Sequence, residues 1–197
     1  ILHHTGNNSD KNKEFLNKAD YVSAHYLIQN NGSIWQLMDL DVIAYHAGVS
    51  EWDTLQEKGN SLNWCTIGIE VVGSKDNFTV KQQEALYKLC DYLSKKFDVP
   101  NDLILRHKDV SPGRKIDPDD SCFQIWDNSF SEFKKDLATS TTEYDDSQST
   151  YIKETNSEDM KLSERDYKKI FDEHFENPLL NDWDGDLPMS EGQTKAL

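Results

Sequence analysis

The chain has 197 residues, 36% of them hydrophobic, enough for one domain with a real core plus an extension. Its net charge is −15, unevenly spread: residues 1–140 hold 15 basic and 21 acidic side chains, and residues 141–197 hold 6 and 15. That balance excludes the basic footprint of a nucleic-acid binder and repels anionic lipid, and no run is long enough for a transmembrane helix, so neither nucleic acid nor membrane insertion is expected.

Residues 1–5, ILHHT, begin as a strand. The chain starts within that strand and without a Met, so its true N-terminus is expected to be missing; no signal peptide is visible. Strand side chains alternate between faces, so of His3 and His4 one can be a ligand while the other packs or meets solvent. Residues 7–17 are polar and read as a short helix or loop. Residues 22–28 and 33–38 read as two strands about Asn30-Asn31-Gly32, a good hairpin turn. Residues 41–45 extend the sheet or cap it. His46-Ala47-Gly48 then opens a long loop containing Trp52, and a His and an aromatic there suit a substrate groove.

Residues 63–73 form the strongest strand pattern, and Glu70 lies inside its apolar run. A carboxylate in that place is costly unless paired, hydrogen-bonded or protonated, which favours a site residue over a strand-end Glu facing water. Residues 79–97 predict a helix. Thr79 and Gln82 make its capping box, Ala85, Leu86, Leu89, Cys90, Leu93 and Phe97 its apolar stripe, and Pro100 bars its continuation. Residues 102–105 read as a buried strand. They lead into RHKDVSPGRKIDPDD at 106–120, a loop broken at Pro112-Gly113 and Asp117-Pro118 that carries a His, a Lys, an Arg and several carboxylates.

Residues 123–137 predict a closing helix with Ile125, Trp126, Phe130, Phe133 and Leu137 inward, completing an α/β unit by residue 138. Three cysteines without close spacing give no disulfide framework. Cys65 and Cys90 read as small core residues, and Cys122 has no clear place. Residues 139–161 are rich in Ser, Thr, Asp and Glu and read as a disordered linker. In the acidic tail, 162–197, residues 163–175 could form an amphipathic helix that docks on its own domain or on a protein partner. Residues 182–186 faintly resemble a calcium loop, without its Gly and final Glu spacing.

His3 or His4, together with His107 and Asp117, makes a three-ligand set for catalytic zinc with one position left for water. Zinc brings the pKa of that water towards ~7 and polarises a carbonyl. Glu70 can hold or deprotonate the water, and Lys115 can stabilise an oxyanion or protonate a leaving amine. These are the parts for amide hydrolysis. Neither a G-x-S-x-G elbow nor an H-E-x-x-H helix competes with them.

Five segments occur in order within residues 1–138: ILHHTG, VSAHYLIQNNGSIWQL, AYHAGVSEW, NWCTIGIEVVG and RHKDVSPGRKIDPD. On them the chain resembles the zinc-dependent N-acetylmuramoyl-L-alanine amidases of the type-2 amidase and peptidoglycan recognition protein superfamily, which includes phage endolysins. The resemblance implies an α/β fold, with a mixed central sheet flanked by helices and zinc in a surface cleft. It selects His3 over His4, making His3, His107 and Asp117 the zinc ligands and Glu70 and Lys115 the catalytic pair. It places His46, Trp52 and Asn63 on the groove wall with Arg114 as a further substrate contact, and gives His25 a supporting role. Ala24 stands where some branches carry a Tyr, which fits the branch that uses the Glu. The implied activity is cleavage of the amide between N-acetylmuramic acid and L-alanine in peptidoglycan. The implied setting is an endolysin that reaches the bacterial cell wall by release from its host or by secretion. A binding protein that holds muropeptide without cutting it, or a bacterial autolysin or recycling amidase, is the alternative. The acidic C-terminal extension departs from the resemblance.

Overall fold

The computed structural model describes residues 1–8, 12, 16, 22–52, 61–74 and 78–144, and the backbone of Ile152–Glu154. Five short strands are found among them: β1 (Leu2–His4), β2 (Tyr26–Ile28), β3 (Ile34–Gln36), β4 (Ile69–Val71) and β5 (Ile152–Glu154). They form one mixed sheet in the order β1-β4-β2-β3-β5. The β2–β3 hairpin is antiparallel and the other neighbours are parallel. Gly32 turns the hairpin at φ +82°, where a Cβ would stand 2.8 Å from the Lys81 carbonyl oxygen, so glycine is required there twice over.

The pleat sorts the two faces. Leu2, Tyr26, Ile28, Ile34, Ile69 and Val71 point to one side and join the main core. Helix α1 (Val80–Lys96) covers that side with Ala85, Leu86, Leu89, Cys90 and Leu93. Its Thr79–Gln82 capping box is present, with Gln82 N–H donating to Thr79 Oγ1 at 3.1 Å and Thr79 N–H to Gln82 Oε1 at 2.9 Å. Phe97, expected on the apolar stripe, is instead the C-cap and 46% exposed, because the helix turns out at its end. On the other side, His3 and Glu70 stand in register on β1 and β4, beside a small cluster of Leu16, Leu27, Leu37 and Val72.

Five of the segments expected in or beside the sheet are shorter or different. The strands expected over 22–28, 33–38 and 63–73 keep only three paired residues each. The flanking groups still bond other backbone groups, Leu37 N–H donating to His25 O at 2.8 Å, Val72 N–H to Ile28 O at 2.9 Å and Ser23 N–H to Tyr45 O at 3.0 Å, while Ser23 Oγ accepts from Tyr45 N–H and Ser61 starts a 3-10 turn at Leu62–Trp64. The strand expected at 102–105 is replaced by a 3-10 turn, Asn101–Leu103, set up by Pro100 at φ −60°. Only the Leu105 carbonyl reaches β1, accepting from Leu2 N–H at 2.8 Å beside a single parallel bridge from Leu2 to Arg106. Residues 41–45 pair as loop, not strand.

The closing helix expected over 123–137 is broken. A 3-10 turn at Gln124–Trp126 ends where Asp127 and Asn128 adopt φ of 53° and 56°, a region open to Asp and Asn more than to other side chains. Ser129 then caps a fresh helix, α3 (Phe130–Thr139), accepting from Glu132 N–H at 3.2 Å. Ile125 is consequently 44% exposed, while Phe130, Phe133 and Leu137 are buried. Cys122 and Cys90 are buried, and Cys65, expected in the core, is exposed on the turn after Trp64.

The linker expected from residue 139 starts with packed residues. Asp91 on α1 is fully buried and needs donors. It receives Tyr144 Oη at 2.7 Å, Ser140 Oγ at 3.0 Å and Lys95 Nζ at 3.0 Å, which fastens 140–144 along α1. The strand β5, also within the expected linker, runs beside β3 from Ile34↔Ile152 to Gln36↔Glu154. The helix at 163–175 and the loop at 182–186 lie outside the described residues. Among the described residues no helix is long and apolar enough to cross a membrane.

Candidate metal centre

His3 comes to the site from β1, and its burial is nearly complete at 1% exposure. His107 opens a one-turn helix, α2 (His107–Val110). That turn is held by Arg106, which donates to Asp109 at 2.9 Å and to Asp120 at 2.9 Å while its guanidinium lies 4.6 Å from the Phe130 ring centre. Asp117 is drawn in by its own carbonyl, which accepts from Lys108 N–H at 2.8 Å. The loop between is fastened back at Ser111, whose carbonyl accepts from Lys115 N–H at 3.0 Å.

These three elements bring His3 Nδ1, His107 Nδ1 and Asp117 Oδ2 together. The two nitrogens are 2.9 Å apart, and the carboxylate oxygen is 3.8 Å from His3 and 3.5 Å from His107. A tetrahedral zinc ion with bonds of roughly 2.0–2.1 Å would space its ligands by roughly 3.3 Å, which these edges bracket. Among the described residues this is the one group of three such side chains. The donor chemistry fits as well. His107 Nε2 faces the Ala47 carbonyl at 3.1 Å, an acceptor only, so it carries the proton and Nδ1 presents a lone pair. The residues therefore fit a divalent, nitrogen- and oxygen-loving ion.

Electrostatics agree. Burial, aided by repulsion from His107 and His46, holds His3 well below its ordinary pKa, so it stays neutral and able to ligate. Burial opposes the charge of Asp117, but its polar neighbours, among them the donating His4 N–H, outweigh it and hold the carboxyl below its ordinary value. Glu70, on the neighbouring strand, is pushed up to about 8 by burial and by the Asp117 charge, with Lys115 pulling the other way. His3, Glu70, His107, Lys115 and Asp117 all line one cleft of about 140 Å³. A larger hollow of about 400 Å³ near Ile67, Leu93 and Ile104 has mostly apolar walls and no ligating set, so it is not the chemical site.

Of the pair left open by the strand pattern, His3 faces the site. His4 gives its backbone N–H to Asp117 Oδ2 at 3.4 Å. His46 lies on the inner wall at 6% exposure, bonded to His3, with little surface to offer a substrate. Asn63 lines the cleft but is 2% exposed, and its Oδ1 accepts from Ala47 N–H at 2.7 Å and His46 N–H at 3.1 Å. Trp52 packs on Ile1, Ala47, Leu62, Leu105 and Val110 and does not line the cleft. Arg114 is a bolt between loops, donating to Ala47 O at 2.8 Å, Val49 O at 2.7 Å and Ser111 Oγ at 2.8 Å. The resemblance implied a place at the groove for all four; His46 and Asn63 line the cleft from within its wall, and Trp52 and Arg114 do not line it.

His25, expected in a supporting role, lies behind His46, with ring centroids 6.0 Å apart, and does not line the cleft. Its Nδ1 accepts from Gly68 N–H at 3.0 Å and its Nε2–H donates to Val42 O at 2.9 Å, so a second proton would break the first bond. Burial pushes its pKa down to about 4, against the help of the Val42 hydrogen bond. Above pH ~6.5 the imidazole is neutral folded or unfolded. Between ~6.5 and about 4 only the unfolded chain takes up the proton, so stability must fall as pH falls, by up to ~1.4 kcal/mol per unit from this group. Urea unfolding from pH 7.5 to 4.5, with the His25 resonance followed by NMR, measures this. A His25 titration near 6.5 in the folded protein would contradict it.

The comparisons with known proteins point one way. The family model described as N-acetylmuramoyl-L-alanine amidase matches residues 1–120. The chain is 42% identical over 99 residues to the 1,6-anhydro-N-acetylmuramyl-L-alanine amidase AmpD of Haemophilus influenzae, covering 49% of this chain and 52% of that protein. It is 30% identical over 135 residues to the N-acetylmuramoyl-L-alanine amidase AmiD of Escherichia coli, covering 60% and 47%. The chain thus spans about half the length of these curated relatives. Among solved structures it resembles AmiD from E. coli in complex with the substrate anhydro-N-acetylmuramic acid-L-Ala-D-gamma-Glu-L-Lys, with TM-score 0.54 and 28% identity over 70% of this chain and 54% of that one. It also resembles AmpDH3 from Pseudomonas aeruginosa, with TM-score 0.57 and 26% identity over 74% and 61%. With more than half of its length matched, and with the mixed sheet that its segments implied, the chain belongs to the N-acetylmuramoyl-L-alanine amidase family.

Proposed function

We propose that this protein is a zinc-dependent amidase that hydrolyses the bond between N-acetylmuramic acid and the L-alanine of a peptide stem. The observation that carries the proposal is the convergence of His3, His107 and Asp117 beside Glu70 and Lys115 in one cleft. Zinc held by the three ligands would supply Lewis acidity to an amide carbonyl and acidify a water. Glu70 takes the proton of the attacking water on a carboxylate oxygen and returns it to the leaving amide nitrogen. Its raised pKa suits the return step, and a nearby dication would bring it down towards the working pH. Lys115 places its ammonium at the cleft to meet negative charge developing on the carbonyl oxygen.

Similarity to a 1,6-anhydro amidase favours small muropeptides as substrates, as in a bacterial recycling enzyme, over intact wall. The lytic endolysin role is the second reading, resting on the resemblance to a superfamily that includes phage endolysins. One experiment tests both. The purified protein is given a defined anhydro-muropeptide and, separately, intact sacculi, each with and without a chelator, and products are read by mass spectrometry and turbidity. Free stem peptide that disappears with chelator, and with His107→Ala, is the expected result. Release unaffected by chelator would overturn the metal mechanism, and rapid clearing of sacculi would move the role to lysis. Binding without release in the metal-loaded protein would make it a recognition protein.

A further inference from the structure

His46 has no place in the mechanism above, yet it is buried against a ligand. Its ring meets that of His3 edge-on, with centroids 5.1 Å apart and planes at 84°. The polarity of the bonds around it can be read outward from a fixed end. Thr66 Oγ1 donates to the Leu62 carbonyl at 2.6 Å, so it turns a lone pair towards His46 Nε2, 3.3 Å away. The Thr66 carbonyl, 3.4 Å from the same nitrogen, is also an acceptor only. His46 Nε2 therefore carries the proton, and His46 Nδ1 is bare. His3 Nε2 lies 3.0 Å from that bare nitrogen and must donate to it. His3 Nδ1 is left as a lone pair, 2.9 Å from the His107 Nδ1 lone pair and 3.8 Å from Asp117 Oδ2, a set of donors that only a cation between them would draw together.

We infer that His46 is a positioning residue: the directed chain from the Leu62 carbonyl through Thr66 and His46 sets the tautomer of His3, so that its Nδ1 is ready for the metal. The inference rests on the proposed metal site and assigns His46 to that site's support, not to the substrate groove. Two further features serve the same end. Asn63 Oδ1 accepts from both His46 N–H and Ala47 N–H, and the Ala47 carbonyl orients His107, so one dipeptide steers both histidine ligands. Gly68 leaves room for the imidazole: a Cβ there would run into the ring, standing 2.9 Å from its Nδ1.

The test uses the full chain and zinc itself. In zinc-loaded protein, imidazole ¹⁵N–¹H spectra are expected to show both His3 and His46 as Nε2–H tautomers. Zinc affinity, measured by competition with a chromophoric chelator, is expected to fall about 10–100-fold in His46→Phe, Thr66→Val and Gly68→Ala, and to be kept in Thr66→Ser. An Nδ1–H tautomer at His3, or zinc affinity within threefold of wild type in both His46→Phe and Thr66→Val, overturns the inference. Failure of the underlying reading looks different. Wild type would then bind zinc no better than His107→Ala, whereas a failed inference leaves wild-type zinc binding intact and only the tautomers or the variant affinities wrong.

Discussion

Glu70→Gln is expected to lower kcat by about 10²–10⁴-fold while the protein still binds one zinc per chain. Glu70 is held by β4, paired on both sides, with His3 in register on one neighbour and Leu27 on the other. The backbone thus fixes where the side chain starts, and glutamine of the same length keeps its shape. What the amide cannot do is accept a proton and give it back. The ligand set contains His3, His107 and Asp117 and not Glu70, so metal content should not change. KM should move little, because the lost interaction belongs to proton transfer and not to ground-state binding. Steady-state kinetics on a defined muropeptide, with metal analysis of the same sample, separates the roles. Activity within tenfold of wild type would remove Glu70 from proton transfer. Loss of zinc alongside activity would instead make it a ligand.

Most of the site was legible in the sequence, and the fold less so, for reasons visible in single residues. Strand period two showed that His3 and His4 could not both face the site, and β1 obeys it; the resemblance, not the period, chose His3. Glu70 announced itself as a carboxylate within an apolar run, and it is indeed buried at 7% exposure. Helix α1 was readable to within a residue because its cap is local chemistry between Thr79 and Gln82. The strands were overestimated because apolar alternation says which residues face the core, not whether a neighbour supplies the ladder. At 102–105 Ile104 and Leu105 are buried and Leu103 is half-buried, while the hydrogen bonds are those of a turn. The break at Asp127-Asn128 had a signal: the Ser129 and Glu132 pair marks a new helix start, and two residues tolerant of positive φ precede it. Wall residues such as Arg114 and Asn63 could not be read, since a loop's polar side chain bonds whichever backbone the fold presents.

Phe133→Ala is expected to cost ~3–5 kcal/mol, the usual price of emptying a large aromatic site in a packed core. Phe133 on α3 is fully buried among rings, with Trp126 at 4.9 Å, Phe123 at 5.2 Å, Phe130 at 5.7 Å and Tyr87 at 6.2 Å between centres. Rings cannot collapse into the gap without leaving their own contacts, so little of the loss is recovered by relaxation. The family match ends at residue 120, before every ring of this cluster except Tyr87, yet the cluster bears on the candidate metal centre. Phe130 packs against Phe133 and also lies under the Arg106 guanidinium, which ties down the turn carrying His107. A total stability of ~5–15 kcal/mol leaves little margin for such a loss. Urea or thermal unfolding of the metal-free protein measures it, and Phe133→Leu, which keeps most of the volume, should cost clearly less. A loss below about 1 kcal/mol in the alanine variant would mean that the aromatic cluster is not what closes the domain behind its metal centre.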